Sequence, residues 1–151
     1  MITELRPWHL MSVSINMRES DLSEFGGLIE ESDPEKWACR RALAPGLNFT
    51  VLTPTGKPVA CFGFLDAEDR ESANLWMVAT DNWKPYVKSM FRCYKAVRDS
   101  GIYRVIQSGI RASRPDSIKF IEWLGLEHRG TLPAYLKTGE AIEMYSYVRK
   151  P

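Results

Sequence analysis

Along the first half of the chain the apolar positions change period several times. Ile2 to Pro7 is short, alternating and proline-ended, which predicts a first strand. Trp8 to Met17 reads as a helix, broken around Arg18-Glu-Ser-Asp21. Asp21 is an N-cap residue type and Glu24 lies three positions on, a capping-box spacing, so a short helix is expected up to Gly26-Gly27. Asp33-Pro34 opens another, because aspartate caps and proline suits the first helical position. It carries Trp37, Ala38, Arg41 and Ala42 and ends before Pro45-Gly46. Leu47 to Thr53 and Pro58 to Leu65 form a hairpin across Pro54-Thr-Gly56-Lys, with a small residue at Gly63. Asn74 to Thr80 is a short apolar run bounded by polar residues, the pattern of a strand buried on both faces.

The second half opens with the clearest helix. Asp81 or Asn82 caps it and Pro85 lies in its first turn. Val87, Met90, Phe91, Tyr94 and Val97 recur at helical spacing, Lys88, Arg92, Lys95 and Arg98 lie elsewhere, and Gly101 ends it. Tyr103 to Ile110 is a further strand. Ser113 and Asp116 mark the next helix start, Ile118, Ile121, Trp123 and Leu124 its apolar face, and Gly125 its stop. A final hairpin pairs Arg129 to Leu136 with Ala141 to Arg149 across Lys137-Thr-Gly139-Glu. The order is strand, two or three helices, three strands, helix, strand, helix, two strands. It predicts an α/β fold: a mixed, mostly antiparallel sheet of six to seven strands with helices on both faces. The length, 151 residues, corresponds to one domain over residues 1–151.

Composition narrows the function classes. The chain is 44% hydrophobic, 11% aromatic and 26% charged, which argues against disorder. No apolar run reaches the roughly 18–20 residues of a membrane span, and Met1-Ile-Thr-Glu-Leu-Arg-Pro-Trp lacks a signal-peptide layout. A cytoplasmic protein without membrane partners is expected. The three cysteines (Cys39, Cys61 and Cys93) are too scattered for a disulfide framework or a zinc ribbon, and two histidines, His9 and His128, leave little for a metal site or a hydrolase triad. Net charge is +1, but residues 1–83 carry 7 basic and 13 acidic residues and residues 84–151 carry 13 and 6. That split fits either a polyanionic ligand or attraction between the halves across the fold. Without a dense basic tract, nucleic acid ranks last among partners.

Four segments carry a family resemblance: Asn16-Met-Arg18-Glu-Ser-Asp21-Leu-Ser-Glu24, Pro58-Val-Ala-Cys-Phe-Gly63, Leu75-Trp-Met-Val-Ala-Thr80-Asp, and Ile118-Lys-Phe-Ile-Glu-Trp-Leu-Gly125. With the element order, they resemble the GNAT superfamily, the Gcn5-related N-acetyltransferases. Within it they look like a subgroup of short-tailed phages whose members are GNAT-like proteins or internal virion proteins. The resemblance implies acetyl-CoA as cofactor, with its pantetheine along the splayed edge of the fourth strand. Here that places Met77, Val78, Ala79 and Thr80 on the cofactor, and its pyrophosphate at the next helix start, near Lys84 and Lys88.

The family pattern is departed from at two places. Its phosphate loop is glycine-rich, but no glycine lies between Gly63 and Gly101, Pro85 removes an N–H donor, and Asp81 adds a like charge. Ile121 stands where the family's general-acid tyrosine is found, and Arg114 where its asparagine is. Tyr135 and Tyr145 are then candidate proton donors beside a packing role, as is Tyr147. Glu24 is a candidate base, with Arg18 and Asp21 on the acceptor side; Asp21 and Glu24 read first as helix caps. The resemblance implies an N-acyltransferase acting on an amine of a small molecule or a protein. The alternative is a non-catalytic GNAT-like phage protein, working in the virion, in assembly or on a host protein, for which exposed Trp8, Trp37 or Trp83 would serve as anchors.

Overall fold

In a computed structural model describing residues 1–151, these patterns become seven strands and five α-helices. In chain order they are β1 (Ile2–Glu4), α1 (Pro7–Ile15), α2 (Glu19–Leu22), α3 (Pro34–Ala42), β2 (Gly46–Leu52), β3 (Pro58–Asp66) and β4 (Ser72–Ala79). A 3-10 turn at Lys84–Tyr86 then leads into α4 (Val87–Ser100), followed by β5 (Val105–Arg111), α5 (Pro115–Trp123), β6 (Glu127–Leu132) and β7 (Ile142–Val148). All seven strands form one sheet in the order β1-β2-β3-β4-β5-β7-β6. Only β4 and β5 are parallel neighbours; every other pair is antiparallel. No helix is long and apolar enough to cross a membrane.

Alternation along the strands sends side chains to two cores. On one face Cys61, Val78 and Trp76 meet Leu10, Val13, Trp37 and Ala38 of α1 and α3. On the other, Phe64 and Ala73 meet Tyr94 and Val97 of α4 and Ile121 and Leu124 of α5, while Ala60, Phe62, Met77 and Ala79 meet Met90. Phe64 is fully buried between the Tyr94 and Tyr103 rings, 5.9 and 5.7 Å away between centroids. Truncating such a ring costs about 3–5 kcal/mol. The amphipathic pattern of α4 holds: Met90, Tyr94 and Val97 are buried, and Gly101 closes the helix at φ 76°, a left-handed value suited to glycine.

Several boundaries differ from expectation, each for a local reason. β1 stops at Glu4, and Pro7 is the first residue of α1 rather than the last of a strand. The buried His9 accepts the Arg6 N–H through Nδ1 at 3.1 Å, and burial, then the Arg6 charge, lowers its pKa. Asp21 does not cap α2: Arg18 holds that position and the Asp21 side chain is committed elsewhere. Asp33 does cap α3, accepting the Glu35 N–H at 2.9 Å. Ser113 does not cap α5; its N–H goes to Glu140 at 2.9 Å and Arg114 takes the cap position. β6 ends at Leu132, before Pro133, so the loop to β7 is longer than the expected turn.

Candidate functional site

β4 and β5 stay paired for only three positions, Ser72↔Val105 to Asn74↔Gln107, and then part. A cleft of about 460 Å³ opens between them and runs through the sheet. Trp37, Arg41 and Trp76 line it on the α3 side, Met90, Phe120 and Ile121 on the α4–α5 side, and Ser108 and Gly109 along β5.

Which backbone groups face this cleft follows from ladder alternation. The Thr80 N–H bonds to Val59 O at 2.9 Å, toward β3, so Ala79 and Met77 turn theirs to the opposite side. Val78 and Thr80 therefore spend their backbone groups on the β3 side, and the Thr80 hydroxyl also donates to Val59 O at 3.1 Å. Ala79 faces the cleft but is taken: its C=O accepts the Arg18 N–H at 2.9 Å, and its N–H donates to Asp21 Oδ2 at 2.9 Å. Met77 alone of these four has N–H and C=O turned to the parted edge with no strand opposite.

The carboxylate on Ala79 anchors an ion cluster. Asp21, 3% exposed, accepts Arg18 Nε at 2.7 Å, Arg18 Nη2 at 3.0 Å and Arg114 Nη2 at 3.3 Å. Arg114 also pairs with Glu24 through Nη1. The Arg18 guanidinium lies 5.0 Å from the Trp83 ring centroid. Next along, Arg111 Nη1 donates to Ser23 O at 3.0 Å and its Nε to Glu140 Oε2 at 2.9 Å. Hydrogen bonds from Ser113, then from Arg111, hold the Glu140 carboxyl down at about 2. The segment from Arg18 to Glu24 is thus tied to β4 on one side and to β5 and the start of α5 on the other. It forms a strap across the mouth of the cleft.

The α3 side has a different chemistry. Trp37 and Trp76 meet edge to face, 5.9 Å apart at 80°, and the Arg41 guanidinium sits 5.4 Å from each ring. Trp76 is held by its Nε1–H, which donates to Asn48 Oδ1 at 2.9 Å across Gly63. A Cβ on Gly63 would lie 2.3 Å from that Asn48 oxygen and 2.6 Å from Leu47 O, so only glycine lets the indole reach across.

Of the residues singled out in the sequence, Arg18, Asp21, Glu24, Met77 and Val78 line the cleft. Ala79 and Thr80 adjoin it, and Lys84 and Lys88 are exposed at the approach to α4, outside its walls. Two tyrosines lie away from it. Tyr135 is 64% exposed in the β6–β7 loop, and Tyr145 is buried in the core, where its hydroxyl donates to Glu122 at 3.0 Å. Burial and that bond raise the Tyr145 pKa. Arg41, Asn48, Tyr94 and Ser108 were not singled out as site residues. For Arg41 the signal was present: it stands four residues after Trp37, so the cation shares a helix face with an apolar anchor. The Tyr94 hydroxyl is buried without a partner, and burial pushes its pKa up to about 12.

No family model matches the chain, and no curated protein sequence matches it. Solved structures do. The chain is similar to the acetyltransferase of GNAT family from Streptococcus pneumoniae, at 14% identity over 99% of both chains and a TM-score of 0.71. It is similar to the acetyltransferase (GNAT family) from Bacillus anthracis, at 15% identity over 97% of this chain and 93% of that one, TM-score 0.71. It is also similar to a spermidine N-acetyltransferase chimera, SpeG from Vibrio cholerae with hSSAT, at 10% identity over 98% of this chain and 96% of that one, TM-score 0.73. At these identities the likeness is one of fold: this chain has the fold of GNAT-family acetyltransferases over its whole length.

Proposed function

We propose that the chain is an N-acyltransferase that moves an acetyl group from acetyl-CoA to an amine, with the parted edge of β4 as its working surface. The observation that carries this is the pair of outward backbone groups on Met77, inside a cleft open to both faces of the sheet. The structure fits acetyl-CoA in part. Met77 suits an extended amide-bearing chain laid along the strand edge, whereas Ala79 has its groups filled from within. No side chain caps α4, but the 3-10 turn before it engages the Tyr86 N–H with Trp83 O and the Val87 N–H with Lys84 O, so an anion at this helix start would rest chiefly on the charges of Lys84 and Lys88, in place of the missing glycines.

Acetyl-CoA supplies an acyl carbon already activated as a thioester. The Met77 N–H is placed to receive charge developing on the carbonyl oxygen. Phe120, Ile121 and Leu124 provide an apolar wall that keeps water from the reacting carbon. An amine entering from the α3 side would attack that carbon, the N–C bond forming as the C–S bond breaks, and the proton shed by the amine would pass to solvent. Ile121 has no proton to give, so the leaving thiolate takes its proton from solvent. Glu24 and Asp21 are both engaged by arginines, so the chain acts by positioning the reactants.

Calorimetry with acetyl-CoA tests this, with thermal melting as a cross-check. At 100 times Kd a ligand adds about 2.7 kcal/mol, a rise of about 5–10 °C for a chain of this size. Micromolar binding, weakened when Lys84 and Lys88 are both changed to alanine, is the expected result. No heat and no melting shift at millimolar acetyl-CoA overturns it. A second reading, a non-catalytic module of this fold that binds a protein in a phage virion, in assembly or in the host, is favoured by Trp8, which is 56% exposed on α1.

A further inference from the structure

Among the charged groups lining the cleft, Arg18 pairs with Asp21, and Arg114 with Asp21 and Glu24. Arg41 has no carboxylate within ion-pair distance and its guanidinium makes no hydrogen bond, although it lines the same cleft. Three arginines against two acids leave the lining one positive charge in excess, and that charge is Arg41. Burial lowers its pKa, and no neighbouring acid offsets the effect. Beside it, Trp37 Nε1 is buried without an acceptor. The cleft therefore holds a desolvated cation and an unsatisfied donor side by side, an arrangement that disfavours itself until an anion arrives. The two indoles fix where that anion would go. Trp76 is pinned by Asn48 through the space Gly63 leaves, Trp37 stands at 80° to it, and the guanidinium lies in their corner.

We propose that the acyl acceptor is a carboxylate-bearing small amine whose carboxylate docks on Arg41 in the Trp37–Trp76 corner, a substrate class that rests on the acyltransferase reading above. A planar guanidinium presents paired donors that match a carboxylate. The adjacent indoles give an apolar bed for the atoms between carboxylate and amine. The same charge count disfavours a polyamine: both acids in the cleft are already held by arginines, so a polycation would meet Arg41 and find no free carboxylate.

Tryptophan fluorescence provides the test, because Trp37 and Trp76 bracket the site. The probes are a panel of amino acids and ω-amino carboxylates, each beside its own carboxamide, with spermidine as the polycation, all titrated with and without acetyl-CoA. The expected result is saturable quenching by carboxylates, with carboxamides at least about tenfold weaker. Arg41→Gln should lose the preference and Arg41→Lys keep part of it, and the carboxylate-to-amide ratio on the parent chain needs no variant at all. Equal binding of acids and amides, spermidine binding better than either, or no carboxylate binding at millimolar concentration overturns the proposal. The two readings fail separately. Arg41-dependent carboxylate binding without acetyl-CoA binding keeps the site and removes the acyltransferase. Acetyl-CoA binding without a carboxylate preference does the reverse.

Discussion

Replacing Asp21 by alanine removes one carboxylate that serves three elements at once. It accepts two bonds from Arg18, at 2.7 and 3.0 Å, one from Arg114 at 3.3 Å and one from the Ala79 N–H at 2.9 Å. Breaking a buried pair from one side costs about 3–5 kcal/mol, since the remaining charge is left desolvated. Two features hold the loss to the lower end of that range. Arg114 keeps Glu24, and Arg18 keeps the Trp83 ring at 5.0 Å. The Ala79 N–H is orphaned in either case. The expected loss is about 3 kcal/mol, or a Tm lower by about 6–12 °C. Urea unfolding with an unchanged m-value measures it, and a cycle with Arg18→Met separates the pair from the amide bond. A loss below about 1 kcal/mol, the range of exposed ion pairs, refutes the claim that the strap is a buried and structurally committed cluster.

Three further outcomes follow from particular contacts. Gly63→Ala should cost about 3 kcal/mol, the upper end for overpacking, because a Cβ there meets Leu47 O at 2.6 Å; thermal melting and a changed near-ultraviolet tryptophan signal report it as the Trp76–Asn48 bond breaks. Burial holds the Tyr94 phenol up to about 12, and burial with the 2.6 Å bond to Asp66 raises Tyr103. The unfolded chain loses these protons near pH 10 while the folded chain retains them, so stability is intact below about pH 10 and falls from there toward 12; melting against pH shows this, and Tyr103→Phe flattens part of the slope. Glu140 runs the opposite way: with its carboxyl held at about 2 against an ordinary 4.5, its contribution is present above 4.5 and is lost as pH falls toward 2, a step that Glu140→Gln should lack in acid unfolding.

The elements were legible where one physical cause dominated. The 3.6-residue period of α4, the Asp33-Pro34 start of α3 and the Gly101 stop each act within a few residues, and the structure has them where the pattern placed them. Asp21 and Ser113 were misread for the opposite reason. Both are good caps locally, but Asp21 gains an amide from β4 and a guanidinium from the start of α5, and the Ser113 N–H gains Glu140 from the last loop. Partners 58, 93 and 27 residues away leave no trace in a local window. Charge asymmetry between the halves did carry long-range information. Asp21 and Glu24 reach Arg114, and Glu71 reaches Arg104, so part of the acidic first half neutralises the basic second half across the fold. The aromatic corner was half legible: Trp37 and Gly63 stood out singly, but only sheet register sets Asn48, Gly63 and Trp76 in one row.

The strap that stabilises the fold also competes for the edge on which a ligand would lie. An extended ligand on a parted strand is held by successive outward backbone pairs, here Met77 and Ala79. With the Ala79 N–H bonded to Asp21, one of those positions offers a ligand nothing without an exchange of partners. Asp21→Ala then has a second consequence, opposite in sign to the first. It frees the Ala79 N–H while the Arg18 N–H still covers the Ala79 C=O, so one hydrogen bond becomes open to the ligand. A net bond of about 0.5–1.5 kcal/mol translates into acetyl-CoA binding about 2–12-fold tighter than in the parent. Calorimetry at a temperature where both proteins are fully folded measures the ratio. Unchanged affinity would mean that the ligand never reaches Ala79. Weaker affinity would mean that the strap shapes the edge for binding and does not obstruct it. Either result refutes the competition, whereas tighter binding by a less stable protein has no explanation in packing alone and requires the shared amide.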